Sequence, residues 1–188
     1  MLFKDMGYKG RGYTLLELMA VMAIIFITSA LVVPFLRGFS ENGKLKAAVR
    51  AFVSTLNYAR GQAISSGLKH RVYIDTSLNG YWVAVEEDPQ ESPGEYTPLE
   101  GRMGVPKEFP RGIIVSAMGT PRGENASAQD YIEFSPKGTG EEAWVHITNG
   151  DKVYTVSVSP STGRAKLLEG ELVPQHKIEA SEATLGEI

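Results

Sequence analysis

The chain of 188 residues contains no cysteine. That excludes a disulfide framework and a thiolate metal site, so a folded part must rely on an apolar core even in an oxidising compartment. Histidine is scarce too. His70, His146 and His176 stand far apart, without the close ligand spacing of a zinc site. The first two fall in strand-like segments, where a satisfied or exposed ring is expected. GxSxG, HExxH and P-loop sequences are absent, which removes the readable signatures of hydrolase, metalloprotease and nucleotide chemistry. Lys137-Gly138-Thr139-Gly140 is glycine-rich, but without the rest of a phosphate-binding motif it reads as a strand-joining turn. Neither a catalytic grouping nor a cofactor is expected. A basic excess is missing as well. The formal charge is −3, and residues 37–188 hold 16 Lys+Arg against 20 Asp+Glu, so non-specific nucleic-acid binding is not the main task. Glu86, Glu87, Asp88, Glu91 and Glu95 cluster in sequence. Hard cations favour carboxylate oxygens, but a solvated loop is the plainer reading of that run.

Charge is absent over one long stretch. From Leu15 to Leu36 the only ionisable side chain is Glu17. About 20 apolar residues suffice for a helix to cross the ~30 Å hydrocarbon layer. Lys4, Lys9 and Arg11 precede the stretch against Asp5, and positive flanks stay cytoplasmic, so the N-terminus should face the cytoplasm. Glu17 is anomalous, because a charged residue at mid-membrane costs roughly 2.5–3.5 kcal/mol on insertion scales. Either it marks the interface, or it awaits a positive partner. The rival reading is an ordinary secretory signal, with an apolar core at Leu18–Ile27 and cleavage after Ala30. Glu17 at the edge of that core and the apolar residues continuing to Leu36 speak against it.

Gly12 followed by Tyr13-Thr14-Leu15-Leu16-Glu17, then an apolar run ending near Pro34, resembles the type IV prepilin signature shared with the pseudopilins of type II secretion. The resemblance implies that a membrane prepilin peptidase cuts between Gly12 and Tyr13 and N-methylates Tyr13. Most members of that family carry Phe there, so Tyr13 is a mild departure. Glycine presents a backbone without a side chain to the peptidase. The resemblance further implies that Glu17 pairs with the new α-amine of a neighbouring subunit. Opposite charges attract strongly in a low-dielectric medium, so assembly would remove the penalty of an unpaired Glu17. Pro34 breaks one helical hydrogen bond, and a kink is expected there.

Beyond Pro34, Gly38 and Gly43 suggest a loosening across Arg37–Gly43. Leu45, Val49, Phe52, Leu56, Ala59 and Ala63 then recur at four- and three-residue steps as one apolar stripe, and Gly67 is a plausible stop. A continuous helix over Tyr13–Ser66 would span about 54 residues and roughly 80 Å. Strands are expected at Lys69–Thr76, Tyr81–Glu87, Gly112–Ala117, Asp130–Ser135, Ala143–Thr148 and Lys152–Ser159, with an edge strand at Arg164–Leu168. Asn79-Gly80 and Asn149-Gly150 mark tight hairpins. Residues 88–111 and Met118–Gln129 read as surface loops, Trp82 and Trp144 as core aromatics. Tyr154, Val156 and Val158 alternate with Thr155 and Ser157, which suits an antiparallel sheet with one covered face.

Asn57-Tyr58-Ala59-Arg60-Gly61-Gln62-Ala63, Gly80-Tyr81-Trp82-Val83, Phe134-Ser135-Pro136-Lys137-Gly138 and Ser161-Thr162-Gly163-Arg164 are similar to segments of the H-type minor pseudopilins and of related minor type IV pilins. The implied fold is α+β and pilin-like: a long N-terminal helix packed on antiparallel β-sheets. The implied organisation is a leader at 1–12, a transmembrane and polymerisation helix at 13–36, a periplasmic head at 37–168 and an acidic, disordered tail at 169–188. The implied role is structural: a minor subunit, near the tip, of the periplasmic pseudopilus in the inner membrane. Its partners would be the prepilin peptidase/methyltransferase, other major and minor pseudopilins, the inner-membrane assembly platform and the lipid bilayer. The alternative is a minor type IV pilin serving pilus assembly or DNA uptake. Relatives of that kind carry a basic C-terminal region. Here Arg164 and Lys166 are followed by an acidic tail, so nucleic acid is not expected as a partner.

Overall fold

The computed structural model describes residues 13–124 and 129–172, excepting the side chains of residues 30–40 and of Glu124. The chain divides after Ser40 into two compact units. Helix α1 (Leu15–Ser66) begins in the first and ends in the second.

In the first unit every described side chain from Tyr13 to Ser29 is exposed, and most are large and apolar. Thr28 Oγ1 donates to the Ile24 carbonyl at 2.8 Å, so its hydroxyl is satisfied within the helix. Among the described residues no helix is long and apolar enough to cross a membrane. The expected span runs on to residue 36, and its last part, residues 30–36, lies outside the described side chains, as does the Pro34 ring. The helical assignment continues through Arg37–Gly43, where the glycines suggested a loosening; two isolated glycines weaken a helix by about 1 kcal/mol each and need not end it.

The second unit holds the core. Leu45, Val49, Phe52, Leu56, Ala59 and Ala63, the expected stripe, are all fully buried. Gly67 takes φ +72° and its amide closes the helix on the Ala63 carbonyl, a left-handed stop that suits a residue without Cβ. Among the described residues ten strands follow: β1 (His70–Asp75), β2 (Gly80–Val85), β3 (Thr97–Pro98), β4 (Lys107–Glu108), β5 (Ile114–Thr120), β6 (Gly123–Glu124), β7 (Gln129–Phe134), β8 (Ala143–Thr148), β9 (Val153–Val158) and β10 (Ala165–Glu169). They form two antiparallel sheets, one ordered β3-β2-β1-β7 with β4 also on β2, the other β10-β9-β8-β5-β6. One cluster joins the stripe of α1 to both sheets through Val72, Ile74, Val83, Ile132 and Phe134 on one and Val145, Ile147, Tyr154, Val156 and Val158 on the other. Phe52 meets Tyr81 and Phe109 edge-on, with centroids 4.9 and 5.8 Å away.

Several expectations are corrected. Both Asn-Gly hairpins form: the first has the four-residue length expected, shifted by one residue to 76–79, and the second is a four-residue loop at 149–152. Gly80 pairs with Asp75 as the first residue of β2, and Asn79 takes the left-handed conformation at φ 48°. The Asp75 carboxylate accepts the Ser77 and Leu78 amides. These bonds, with the Ser77 hydroxyl the largest contributor, hold its pKa below the ordinary value. Asn149 Oδ1 likewise accepts the Asp151 and Lys152 amides. Residues 88–111 are pinned to β2 by β3 and β4, and Phe109 enters the core. The fifth strand runs to Thr120 with an irregularity between Val115 and Ala117; a bulge of this kind shifts the face alternation a strand is read from. Trp82 is not a core residue. Period two turns it away from Tyr81 and Val83, and it stacks on Tyr73 at 5.4 Å on the outer face. Trp144 is buried, yet on the face of its sheet opposite Val145 and Ile147. Thr155, expected on an open face, is fully buried. Gly170 and Leu172 cross there, the Thr155 hydroxyl donating to the Gly170 carbonyl at 2.6 Å and accepting the Leu172 amide at 3.0 Å. The acidic tail was expected from Glu169; Glu169 ends β10, and residues 173–188 lie outside the described ones.

Candidate functional site

Two places gather the residues that the sequence singled out. The first is the start of α1. Gly12 lies outside the described residues. Tyr13 is 82% exposed. Thr14, which the sequence reading passed over, caps the helix: its hydroxyl accepts the Glu17 amide at 3.2 Å, and its carbonyl accepts the Leu18 amide at 3.2 Å. Thr14-x-x-Glu17 therefore has the spacing of a capping box, a signal present in the sequence. Glu17 sits in the first turn, where the partial positive charge of the helix N-terminus favours a carboxylate. Among the described residues no cation pairs with it.

The second place lies in the head, where three of the four quoted segments converge. Asn57 clamps β10 with two bonds: Nδ2 donates to the Ala165 carbonyl at 3.2 Å and Oδ1 accepts the Ala165 amide at 3.1 Å. One turn on, Arg60 Nε donates to the carbonyls of Thr162 at 2.6 Å and Gly138 at 3.1 Å. Helix, the 135–140 turn and the 160–164 turn are thus tied by two side chains. Gly163, at φ +59°, makes the join possible, since a Cβ there would sit 2.7 Å from the Gly138 carbonyl oxygen. The 135–140 segment is a strand-joining turn, as expected: Phe134 and Gly140 bridge, and the Gly138 amide donates to the Ser135 carbonyl.

On the outer face of the first sheet, Arg71 lies between the rings of Tyr96 and Tyr131, at 3.7 and 4.0 Å, and Arg122 lies over Tyr131 at 3.6 Å. Glu133 accepts from Arg71 at 2.8 Å and from the Tyr96 hydroxyl at 3.0 Å. Burial pushes the Glu133 carboxyl up, but the bonds from Arg71 and Tyr96 and the charges of Arg71 and Lys69 outweigh it and hold the pKa below the ordinary value. Arg122 ties Asp130 and Glu141 together, at 2.9 Å to each. These groups form ion pairs and stacked cations.

The remaining candidates resolve into structural roles. Glu86 is buried and accepts the Gly94 amide at 2.7 Å. Asp88 accepts the Gln90 and Glu91 amides. The acidic run therefore folds its own loop, and among the described residues no group of His, Cys, Asp and Glu could hold a metal ion. His70 is buried with Nδ1 3.1 Å from the Leu68 carbonyl. Burial pushes its pKa down against that bond. His146 is buried beside Trp144 and has Glu171 3.5 Å from Nδ1. His176 lies outside the described residues.

A long helix laid on antiparallel sheets, behind an apolar, acid-marked N-terminus, defines a pilin-like protein. The profile of the prokaryotic N-terminal methylation motif matches residues 8–33, and that of the Type II transport protein GspH family matches residues 48–162. The chain belongs to the GspH family of type II transport proteins. It is 27% identical over 156 residues to type II secretion system protein H of Xanthomonas campestris, covering 83% of this chain and 82% of that one. A shorter likeness, 46% over 48 residues, links it to type II secretion system core protein G of Pectobacterium carotovorum, covering 26% of this chain and 31% of that one. Among solved structures, the minor pseudopilin EpsH of the type 2 secretion system of Vibrio cholerae matches with a TM-score of 0.52 at 17% identity, over 68% of this chain and 99% of that one. That likeness speaks for the fold.

Proposed function

We infer that the chain is a minor pseudopilin, a structural subunit rather than an enzyme, drawn from the inner membrane into a short periplasmic filament that drives protein export. The observation that carries this reading is the pairing of a GspH-type head with a methylation-type N-terminus whose exposed apolar residues include one acid, Glu17. A prepilin peptidase removes residues 1–12 and methylates Tyr13. Residues 13–36 anchor the subunit with its N-terminus inside, Pro34 bends the helix, and the head at 37–168 faces the periplasm. Charge attraction is strong where water is excluded, so Glu17 seeks the methylated amine of an adjoining pseudopilin. That contact sets register while apolar side chains pack subunit against subunit. Its proposed place is near the filament tip.

Intact mass of the membrane-extracted protein tests the reading. The expected chain begins at Tyr13 and carries one extra methyl group, and replacing Gly12 by Leu leaves the leader attached. A chain beginning at Leu31 would mean ordinary signal cleavage and overturn it.

A further inference from the structure

The head carries a cationic groove where the helix meets its two clamped turns. Arg60, Lys137, Arg164 and Lys166 line an open hollow of about 570 Å³, between the end of the helix stripe and the two turns it clamps. None of the four has a carboxylate partner among the described residues, and no acid lines the groove. Four cations gathered around one hollow stand out in a chain of net charge −3. Ser159, Ser161 and Thr162 add hydroxyls to the same wall. Lys137, Arg164 and Lys166 are exposed, while Arg60 is held by its two carbonyls.

The geometry points to a binding site for a short carboxylate-rich peptide segment, supplied by a neighbouring subunit. Three features choose that ligand chemistry over other anions. A phosphate cradle is built from free backbone amides, yet the amides of Gly138, Gly140 and Gly163 all donate to carbonyls, and those of Lys137 and Arg164 to hydroxyls. Single-stranded nucleic acid needs aromatic faces for its bases, and no aromatic side chain lines the groove. A long polyanion also meets the acidic remainder of the head, whereas a short segment feels only charges within a screening length of ~8 Å at physiological salt. What remains is a set of separate point charges and hydroxyls, which matches separate carboxylates on an extended chain. The source of the segment rests on the assembly role proposed above; the peptide chemistry does not.

The test uses the mature full-length protein in neutral detergent, with a fluorescent deca-glutamate peptide followed by anisotropy at several salt concentrations. Saturable binding that weakens with salt is expected. Lys137→Gln with Arg164→Gln should weaken it by about tenfold, as removal of two exposed charge contacts implies. Lys44→Gln, on the other part of the helix, should leave it unchanged. Thermal melts of the double variant establish that it folds, and Lys166→Gln alone should show a smaller loss of the same sign. Absence of saturable binding overturns the proposal, as does equal weakening by Lys44→Gln. Tighter binding of a ten-nucleotide single strand or of inorganic phosphate would also overturn it. Binding that appears only after residues 173–188 are removed would make the chain's own tail the occupant and overturn it too. None of these outcomes depends on the mass of the N-terminus, so the two readings fail separately.

Discussion

At the scale of single residues, Glu17 has two neighbours in its role: the helix end that tolerates it and the partner it is proposed to meet. Its amide, not its carboxylate, makes the bond to Thr14. Glu17→Ala should therefore leave the cap in place, and Thr14→Ala should cost about 1 kcal/mol of helix stability. The expected result is that Glu17→Ala inserts as well as the wild type but is poorly recovered in sheared filament fractions, while Thr14→Ala is recovered. Equal recovery of the Glu17 variant would leave the carboxylate without an assembly role. Asn57 and Gly163 belong to the same scale. Asn57→Ala strands an amide and a carbonyl of Ala165, a loss of about 1–3 kcal/mol. Gly163→Ala adds a Cβ 2.7 Å from a backbone oxygen at positive φ, and urea titration should show a loss at least as large. Gly170→Ala, with positive φ and open space around it, should lose less.

Among the elements, the ion-paired outer face gives a pH dependence with a definite sign. Glu133 has a folded pKa below its ordinary value. Its contribution is therefore complete above the unfolded value of 4.5 and is lost as pH falls through the folded one. Glu133→Gln should lower stability by about 1–3 kcal/mol at neutral pH, and the gap to wild type should narrow in acid. His70, also lowered, loses its share below its ordinary value, but equally in both proteins, so the difference isolates Glu133. Urea midpoints at pH 7 and pH 3 measure it, and a gap that stays constant would mean Glu133 acts only through packing.

Elements also show what the sequence made legible. Every residue of the helix stripe fell where its spacing placed it, because one face of a regular helix was buried against one core. The six-residue strands β1, β7, β8 and β9 were found within a residue or two of their ends, although only β1 and β7 alternate cleanly in burial. Two-residue strands such as β3 and β4 were not, since two residues carry no period and their pairing to β2 depends on distant chain. The irregularity in β5 and the second covered face at Thr155 had the same cause. The motif residues Asn57, Arg60 and Gly163 were visible as a likeness. That they form one latch was not, because contacts between residues about 100 apart leave no local pattern.

For the whole molecule, the division after Ser40 separates two ways of being stable. All described buried apolar side chains lie at Leu45 or beyond, and those described between Tyr13 and Ser29 are exposed. A chain opening at Glu41 keeps the entire cluster of the head and loses only residues that contribute nothing described to it. It should fold alone, melt cooperatively within a few degrees of the full-length protein in detergent, and stay monomeric in water. The full-length chain without detergent should associate, because an exposed apolar surface of that size is not tolerated singly in water. Calorimetry and analytical ultracentrifugation of both chains check this. If the shortened chain failed to fold, residues 13–40 would be part of the head's structure, and a helix given over to membrane and filament would no longer follow.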